Sequence, residues 1–214
     1  SGGGSFGFTP NPDFPRAMRT LGFDGFSDEE IFAMALHDVS TAYVKELKAA
    51  GVRIEKKDSL LALRIHNVTA EYAGEMKRLG LSDLAADKLI AMRIHGVSTE
   101  FAQSLRSLGY QPDADKLVAL RIHGVSADFA RSLRTQGYND VPLDQMVAMR
   151  IHGVSPEFMQ QVAGLGFGHP PIDKLIAMRI HGVTPDFIRR AQSHGLRKLT
   201  IDDLVSMRIH GILN

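Results

Sequence analysis

The chain has no cysteine and no tryptophan among its 214 residues, and aromatics make up only 7%. Without cysteine, disulfide staples and thiol chemistry are excluded. An excess of one charge is missing as well. The 25 basic and 24 acidic residues leave a formal net charge of +1, so no broad field draws the chain toward nucleic acid or an anionic membrane. No apolar run approaches the roughly 18 residues of a membrane span, and direct membrane insertion is not expected. No signal peptide is recognisable. Residues 1–10, opening with Ser1-Gly2-Gly3-Gly4-Ser5, read as a flexible linker or appended tail. The compartment stays open, periplasmic if that linker followed a removed signal or anchor.

Also missing are the groups of unlike residues that catalysis brings into one cavity. There is no glycine-rich phosphate loop, nucleophile elbow or metal-ligand set. The expectation is a protein that is not an enzyme and carries no cofactor. What the chain does have is repetition. The string Arg-Ile-His-Gly or a close copy returns throughout, with His37, His66, His95, His123, His152, His181 and His210 spaced 29, 29, 28, 29, 29 and 29 residues apart. A fixed period of this length marks a stacked repeat array in which each unit contacts mainly its neighbours.

One unit shows the grammar. Ile172–His181 has helical periodicity and stops at Gly182; Thr184-Pro185-Asp186-Phe187 then opens a second helix that stops at Gly195. Thr184 suits the N-cap, Pro185 the first helical position, and Asp186 the positive helix start. Ser155-Pro156-Glu157-Phe158 and Asn11-Pro12-Asp13-Phe14 repeat this pattern. Each glycine stop permits a Schellman closure with an apolar contact across it, Met178 with Val183 and Leu133 with Tyr138. The expected fold is all-α: an α-solenoid of 28–29-residue helix-turn-helix repeats forming a right-handed superhelical rod on the order of 60–70 Å long, at helix spacings of roughly 8–10 Å. Residues 11–214 form one repeat domain in this reading. It comprises a half-repeat at 11–22, full repeats at about 27–51, 56–80, 85–109, 113–137, 142–166 and 171–195, and a terminal helix at 200–210.

On a helical wheel, Leu175, Ile176, Met178 and Ile180 spread over one broad apolar arc with Arg179 in its middle, while His181, Ala177 and Asp173 lie opposite. The histidine row is expected to be the more exposed and the arginine row the more buried. Arg64, Arg93, Arg121, Arg150, Arg179 and Arg208 could form an anion-binding ladder. A guanidinium in an apolar seam more often satisfies carbonyls or a carboxylate. The first unit carries Ala35 at this position, and it alone lacks a complete first helix before it. Each arginine is therefore expected to reach toward its N-terminal neighbour, to a helix-end carbonyl.

The histidines do not suit a shared metal. Zinc ligands lie about 2.0–2.1 Å from the ion, whereas equivalent side chains of stacked helices are roughly 8–10 Å apart. A helix C-terminus favours histidine through its dipole. The sharper alternative is a row of partner-contacting or pH-responsive groups. Together with Ala33, Ala62, Ala91, Ala119, Ala148 and Ala177, the histidines His95, His123, His152 and His181 and the lysines Lys88, Lys116 and Lys174 would line a groove for a protein or peptide. On the second helices Arg106, Arg131, Arg134, Arg189 and Arg190 read as a solvated face.

The unit Asp-Lys-Leu-Ile-Ala-Met-Arg-Ile-His-Gly-Val-Thr-Pro-Asp-Phe (Asp173–Phe187) resembles helical repeats in tails of bacterial membrane metallopeptidases of the beta-lactam-sensor type and of related proteins. That resemblance implies a bacterial binding or sensing module without catalytic residues; the metallopeptidase His-Glu-x-x-His motif is absent. A second stretch, Leu143-Asp144-Gln145-Met146-Val147-Ala148-Met149, is similar to the first helix of TAL-effector repeats, which would imply DNA binding. Those repeats are longer and vary two residues to choose a base. Here His-Gly fills the corresponding turn in five units, with His-Asn and His-Asp in two. Such uniformity encodes little sequence, and near-neutral charge attracts phosphate weakly. The expectation is a protein- or peptide-binding scaffold, with nucleic-acid binding or a purely structural spacer as alternatives; oligomeric state is not written in the sequence.

Overall fold

The computed structural model describes residues 7–196 and 198–213, so the Ser1–Ser5 linker lies outside the described residues. Among the described residues the regular structure is helical, with a single isolated backbone bridge between Arg53 and Ala85. The helices in order are α1 (Asp13–Thr20), α2 (Asp28–Leu36), α3 (Thr41–Ala49), α4 (Asp58–Ile65), α5 (Ala70–Arg78), α6 (Ala86–Ile94) and α7 (Thr99–Arg106). They continue as α8 (Ala114–Ile122), α9 (Ala127–Thr135), α10 (Leu143–Ile151), α11 (Pro156–Val162), α12 (Ile172–Ile180), α13 (Pro185–Ser193) and α14 (Ile201–Ile209). From α2 onward, the even-numbered helices are the first of each repeat and the odd-numbered the second. This is the helical repeat solenoid expected from the period.

The chain divides into two compact units, Ser1–Val118 and Ala119–Asn214. Within the first, α4 packs on α6, and α1, α3, α5 and α7 follow one another. Within the second, α10, α12 and α14 stack in series beside α9, α11 and α13. First helices thus contact first helices and second contact second, giving each unit two layers with the core between them.

The core is built from the same positions each time. In α12 these are Leu175 and Met178, both fully buried; Leu60 and Leu63, Leu89 and Met92, and Met146 and Met149 do the same in α4, α6 and α10. Three residues apart on a helix, such a pair shares one face. The apolar residue after each glycine turn completes the layer: Val68, Val97, Val154 and Val183 are buried to within 1%.

Helix ends follow from side-chain chemistry. Thr184 Oγ1 accepts from the Phe187 amide at 3.2 Å, and Ser40, Thr69, Ser98, Ser126 and Ser155 cap their helices in the same way. At the other end the Val183 amide donates to the Met178 carbonyl at 2.8 Å, while Gly182 adopts φ 69°. This closure pairs the two residues expected to meet across the turn. Asp38 and Asn67 hold the same left-handed conformation, at φ 59° and 53°, in the two units that lack the glycine. One second helix departs from the pattern. The chain after α11 widens into a π-type turn over Ala163–Phe167, with Gly166 at φ 97°, because three glycines (Gly164, Gly166 and Gly168) interrupt the helical grammar there.

Candidate functional site

Arg64, Arg93, Arg150, Arg179 and Arg208 each reach back to the preceding repeat. Arg64, Arg93 and Arg179 donate from Nε to the backbone carbonyls of His37, His66 and His152, each 27 residues earlier, at 3.2, 3.3 and 3.3 Å. The same guanidinium lies over the aromatic residue of the preceding second helix. Arg64 covers Tyr43 at 5.1 Å, Arg93 covers Tyr72 at 4.9 Å, Arg150 covers Phe129 at 5.3 Å, and Arg179 and Arg208 cover Phe158 and Phe187 at 5.1 Å. A planar cation can stack and donate at once, which a lysine cannot. The carbonyl sits at a helix C-terminus, where the dipole favours a cation. The burial contrast between the two rows is weaker than expected. Arg64, Arg93 and Arg208 are half-buried, but Arg121, Arg150 and Arg179 are exposed; His66 and His123 are half-buried and the other five of the row exposed.

In the first unit the two tyrosines under the arginines also donate forward. Tyr43 Oη bonds the Val68 carbonyl at 2.7 Å and Tyr72 Oη the Val97 carbonyl at 2.8 Å. Burial pushes both phenols up to about 12, against a smaller opposing pull from the neighbouring arginine.

The second layer has its own version of this contact. Lys48 donates to the Leu21 carbonyl at the end of α1, Lys77 Nζ lies beside Gly51, and the Arg106 guanidinium lies beside Gly80. Arg106 is therefore half-buried against the preceding helix end instead of being part of a solvated face. Arg131 and Arg189 pair with Asp128 and Asp186 on their own helices, and Arg134 lies 3.8 Å from Asp140. His169 takes a related place: its Nε2 is 2.8 Å from the Gln136 carbonyl and its ring stacks on Tyr138 at 3.6 Å.

Of the lysines expected beside a groove, Lys88 and Lys174 are engaged. Lys88 bonds Asp115 at 2.6 Å and Lys174 bonds Asp202 at 2.6 Å, each to the next first helix. The bond to Asp115 raises the Lys88 pKa. Gln145 donates to Asp173 at 3.0 Å in the equivalent place. Lys116 is half-buried, its amide bonded to Asp113 at 2.8 Å. The six alanines of the row are all half-buried. The histidines remain at the helix ends, with His37, His66, His95, His152, His181 and His210 at the C-cap position. Among the described residues, no three His, Asp or Glu side chains are placed to share a metal ion.

The residue between arginine and histidine departs most from expectation. Ile180, grouped with the apolar arc, is 54% exposed, and its equivalents range from 52% at Ile65 to 58% at Ile209. Ile94, Ile122 and Ile151 lie within that range, and Leu36 reaches 69%. A scattered apolar residue on a surface is ordinary; a contiguous apolar patch marks an interaction site. Within each unit, exposed aliphatic groups recur at one position on the first helices, among them the packed pair α4 and α6 and the series α10, α12 and α14, each group followed by its histidine.

Two clefts flank the loops that lead into first helices. In the first unit, Arg53, Lys56, Asp83 and Lys88 border about 350 Å³, with Arg53 held by Asp83 at 2.9 Å. In the second, Tyr138, Gln145, His169 and Asp173 border about 370 Å³. In the second cleft Gln145 bonds Asp173, and Tyr138 and His169 bond the Pro170 and Gln136 carbonyls. Comparison with protein-family models, curated proteins and solved structures gives no match to the chain.

Proposed function

We propose that this chain is a helical repeat scaffold that binds a protein or peptide along the exposed face of its first helices. The observation carrying this reading is the row of half-exposed isoleucines beside the histidines, a recurrent apolar surface that no other part of its own unit covers. Repeat arrays offer extended surfaces of this kind. The likeness of Asp173–Phe187 to repeats in sensor-type metallopeptidase tails supports a sensing or regulatory role in bacteria. The pairing of Lys88 and Lys174 with aspartates speaks against a phosphate-binding track.

The test is capture from bacterial lysate on the immobilised chain, with and without nuclease, beside an Ile151→Gln/Ile180→Gln variant. The expected result is a protein held by the wild type, lost by the variant and indifferent to nuclease. Capture abolished by nuclease would replace this reading with nucleic-acid binding. Nothing captured would leave a structural spacer.

A further inference from the structure

Building on the scaffold reading, we infer that Arg150 and Arg179 form two carboxylate seats in the second unit, and that these seats bind an acidic peptide segment. The first repeat shows such a seat filled from within. Asp38 Oδ2 lies 3.8 Å from Arg64 Nη2, while Arg64 Nε donates to the His37 carbonyl at 3.2 Å and the guanidinium covers Tyr43 at 5.1 Å. Arg179 holds the same pose on the His152 carbonyl and the Phe158 ring. The residue after that histidine is Gly153, however, which brings no carboxylate. Gly124 takes the corresponding place beside Arg150. In both seats Nη2 is the atom nearest the glycine, 3.1 Å at Gly124 and 2.9 Å at Gly153 from where a Cβ would sit. The chain supplies its own anion at Arg64 and a bare glycine at the later two.

Much of each guanidinium stays available. Arg179 commits Nε to a carbonyl and one face to a ring, and Arg150 one face to Phe129. Among the described residues no carboxylate lies at ion-pair distance from either, and both are exposed. The edge formed by Nη1 and Nη2 is the one that receives a carboxylate in two parallel bonds. Stacking on the ring orients that edge before a ligand arrives, which lowers the ordering cost of binding.

The neighbouring charges are otherwise engaged. Asp128 and Asp186 pair with Arg131 and Arg189 on their own helices, and Lys174 with Asp202. Glu157 is held chiefly by Ser155 and its own amide; these bonds lower its pKa, and Arg150 adds the smallest pull. Two positive charges on the packed helices α10 and α12 are thus left unmatched, and the complementary occupant is acidic.

The probe is fluorescently labelled acetyl-(Glu-Ala)8-amide, titrated with the full chain beside its glutamine counterpart and a single-stranded oligonucleotide of equal charge. Gly124→Asp/Gly153→Asp fills both seats in the manner of Asp38, whereas Gly124→Asn/Gly153→Asn makes the same backbone change without charge, as Asn67 does in the second repeat. Gln160→Glu/Gln161→Glu adds equal charge elsewhere. Arg150→Gln/Arg179→Gln carries the test should the aspartate variant fail to fold by circular dichroism. Saturable binding of the glutamate peptide is expected, weakened roughly tenfold or more by the glutamine peptide, by high salt, and by the aspartate and Arg→Gln variants. The asparagine and Gln→Glu variants should bind nearly as the wild type does. No binding, equal binding of the glutamine peptide, equal or tighter binding of the oligonucleotide, or full binding by a folded aspartate or Arg→Gln variant would each overturn the inference. If Ile151→Gln/Ile180→Gln loses a captured lysate protein while the wild type ignores the glutamate peptide, the scaffold reading survives and this inference fails.

Discussion

Arg179 covers the ring of Phe158 at 5.1 Å while its Nε holds the carbonyl of His152 at 3.3 Å. One side chain therefore touches both helices of the repeat before it. An exposed cation–π contact contributes about 0.5–1 kcal/mol, and a net hydrogen bond about 0.5–1.5 kcal/mol; this bond is long and the group exposed, which places the sum low in that range. Arg179→Met should lower unfolding free energy by about 1 kcal/mol. Arg179→Lys should recover only part, having no planar fork to stack and donate together. Urea denaturation of both variants checks this, and an unchanged midpoint for Arg179→Met would refute it.

Gly153 sits at φ 69°, and a Cβ there would meet the Arg179 guanidinium at 2.9 Å. Two independent penalties fall on one methyl group. A left-handed conformation costs a residue with a Cβ about 1–2 kcal/mol, and Arg179 must also give way. Gly153→Ala should destabilise by about 1–2 kcal/mol or slightly more. Asn67→Gly, at φ 53° where a residue with a Cβ is already accommodated, should be neutral within about 0.5 kcal/mol. Equal effects in denaturation would contradict the account.

The isoleucine row separates stability from function. Leu175 is fully buried and Ile180 is 54% exposed on the same helix. Leu175→Ala should cost about 2–5 kcal/mol, whereas Ile180→Gln should stay within about 0.5 kcal/mol. Thermal melts distinguish them directly. A large loss in Ile180→Gln would mean that this residue is packed.

Alkaline pH should loosen the first unit. Tyr43 and Tyr72 titrate near 12 in the fold, against an ordinary value near 10. Between those values the folded state holds protons that the unfolded state has released, so their contribution is complete below pH 10 and lost as pH rises toward 12. Tyrosinate absorbance should show these two phenols ionising late, and Tyr43→Phe/Tyr72→Phe should flatten the loss of stability above pH 10. Titration of every tyrosine near 10 in the folded protein would contradict this.

The inter-repeat ion pairs should matter little. Lys174 and Asp202 are 44% and 69% exposed at the side chain, where such pairs contribute about 0–1 kcal/mol. Lys174→Gln should lower stability by less than about 1 kcal/mol, and the difference should shrink as salt rises. A loss that persists in high salt would show a packing role.

The parts legible in the sequence were those set by short-range chemistry. Thr184 followed by Phe187, or Met178 followed by Gly182 and Val183, carries its cap or closure within a single turn. Ala35, standing where the later units carry arginine, signals a backward contact from the sequence alone. Ile180 was harder, because isoleucine reads as core. Yet it falls five residues after Leu175 and two after Met178, which at 100° per residue puts it roughly 140–160° from the buried pair. Apolar chemistry outweighed angle in that reading. The backward reach of Lys48, Lys77 and Arg106 had no local signal at all, since their targets lie on another helix. The wide turn at Ala163–Phe167 departs from the regular full repeat expected at 142–166.

The arginine clasp has a direction. In every pair described, from Arg64 on Tyr43 to Arg208 on Phe187, the later residue closes on the earlier repeat. A chain made from its N-terminus therefore always presents a finished aromatic shelf before the guanidinium that covers it emerges. Assembly can proceed like courses of masonry, each laid on one already set, and a ribosome-stalled intermediate should be ordered up to its last complete course. Removal of an early course is the damaging case, since it strands an arginine above nothing, whereas loss of a late one merely uncovers a ring.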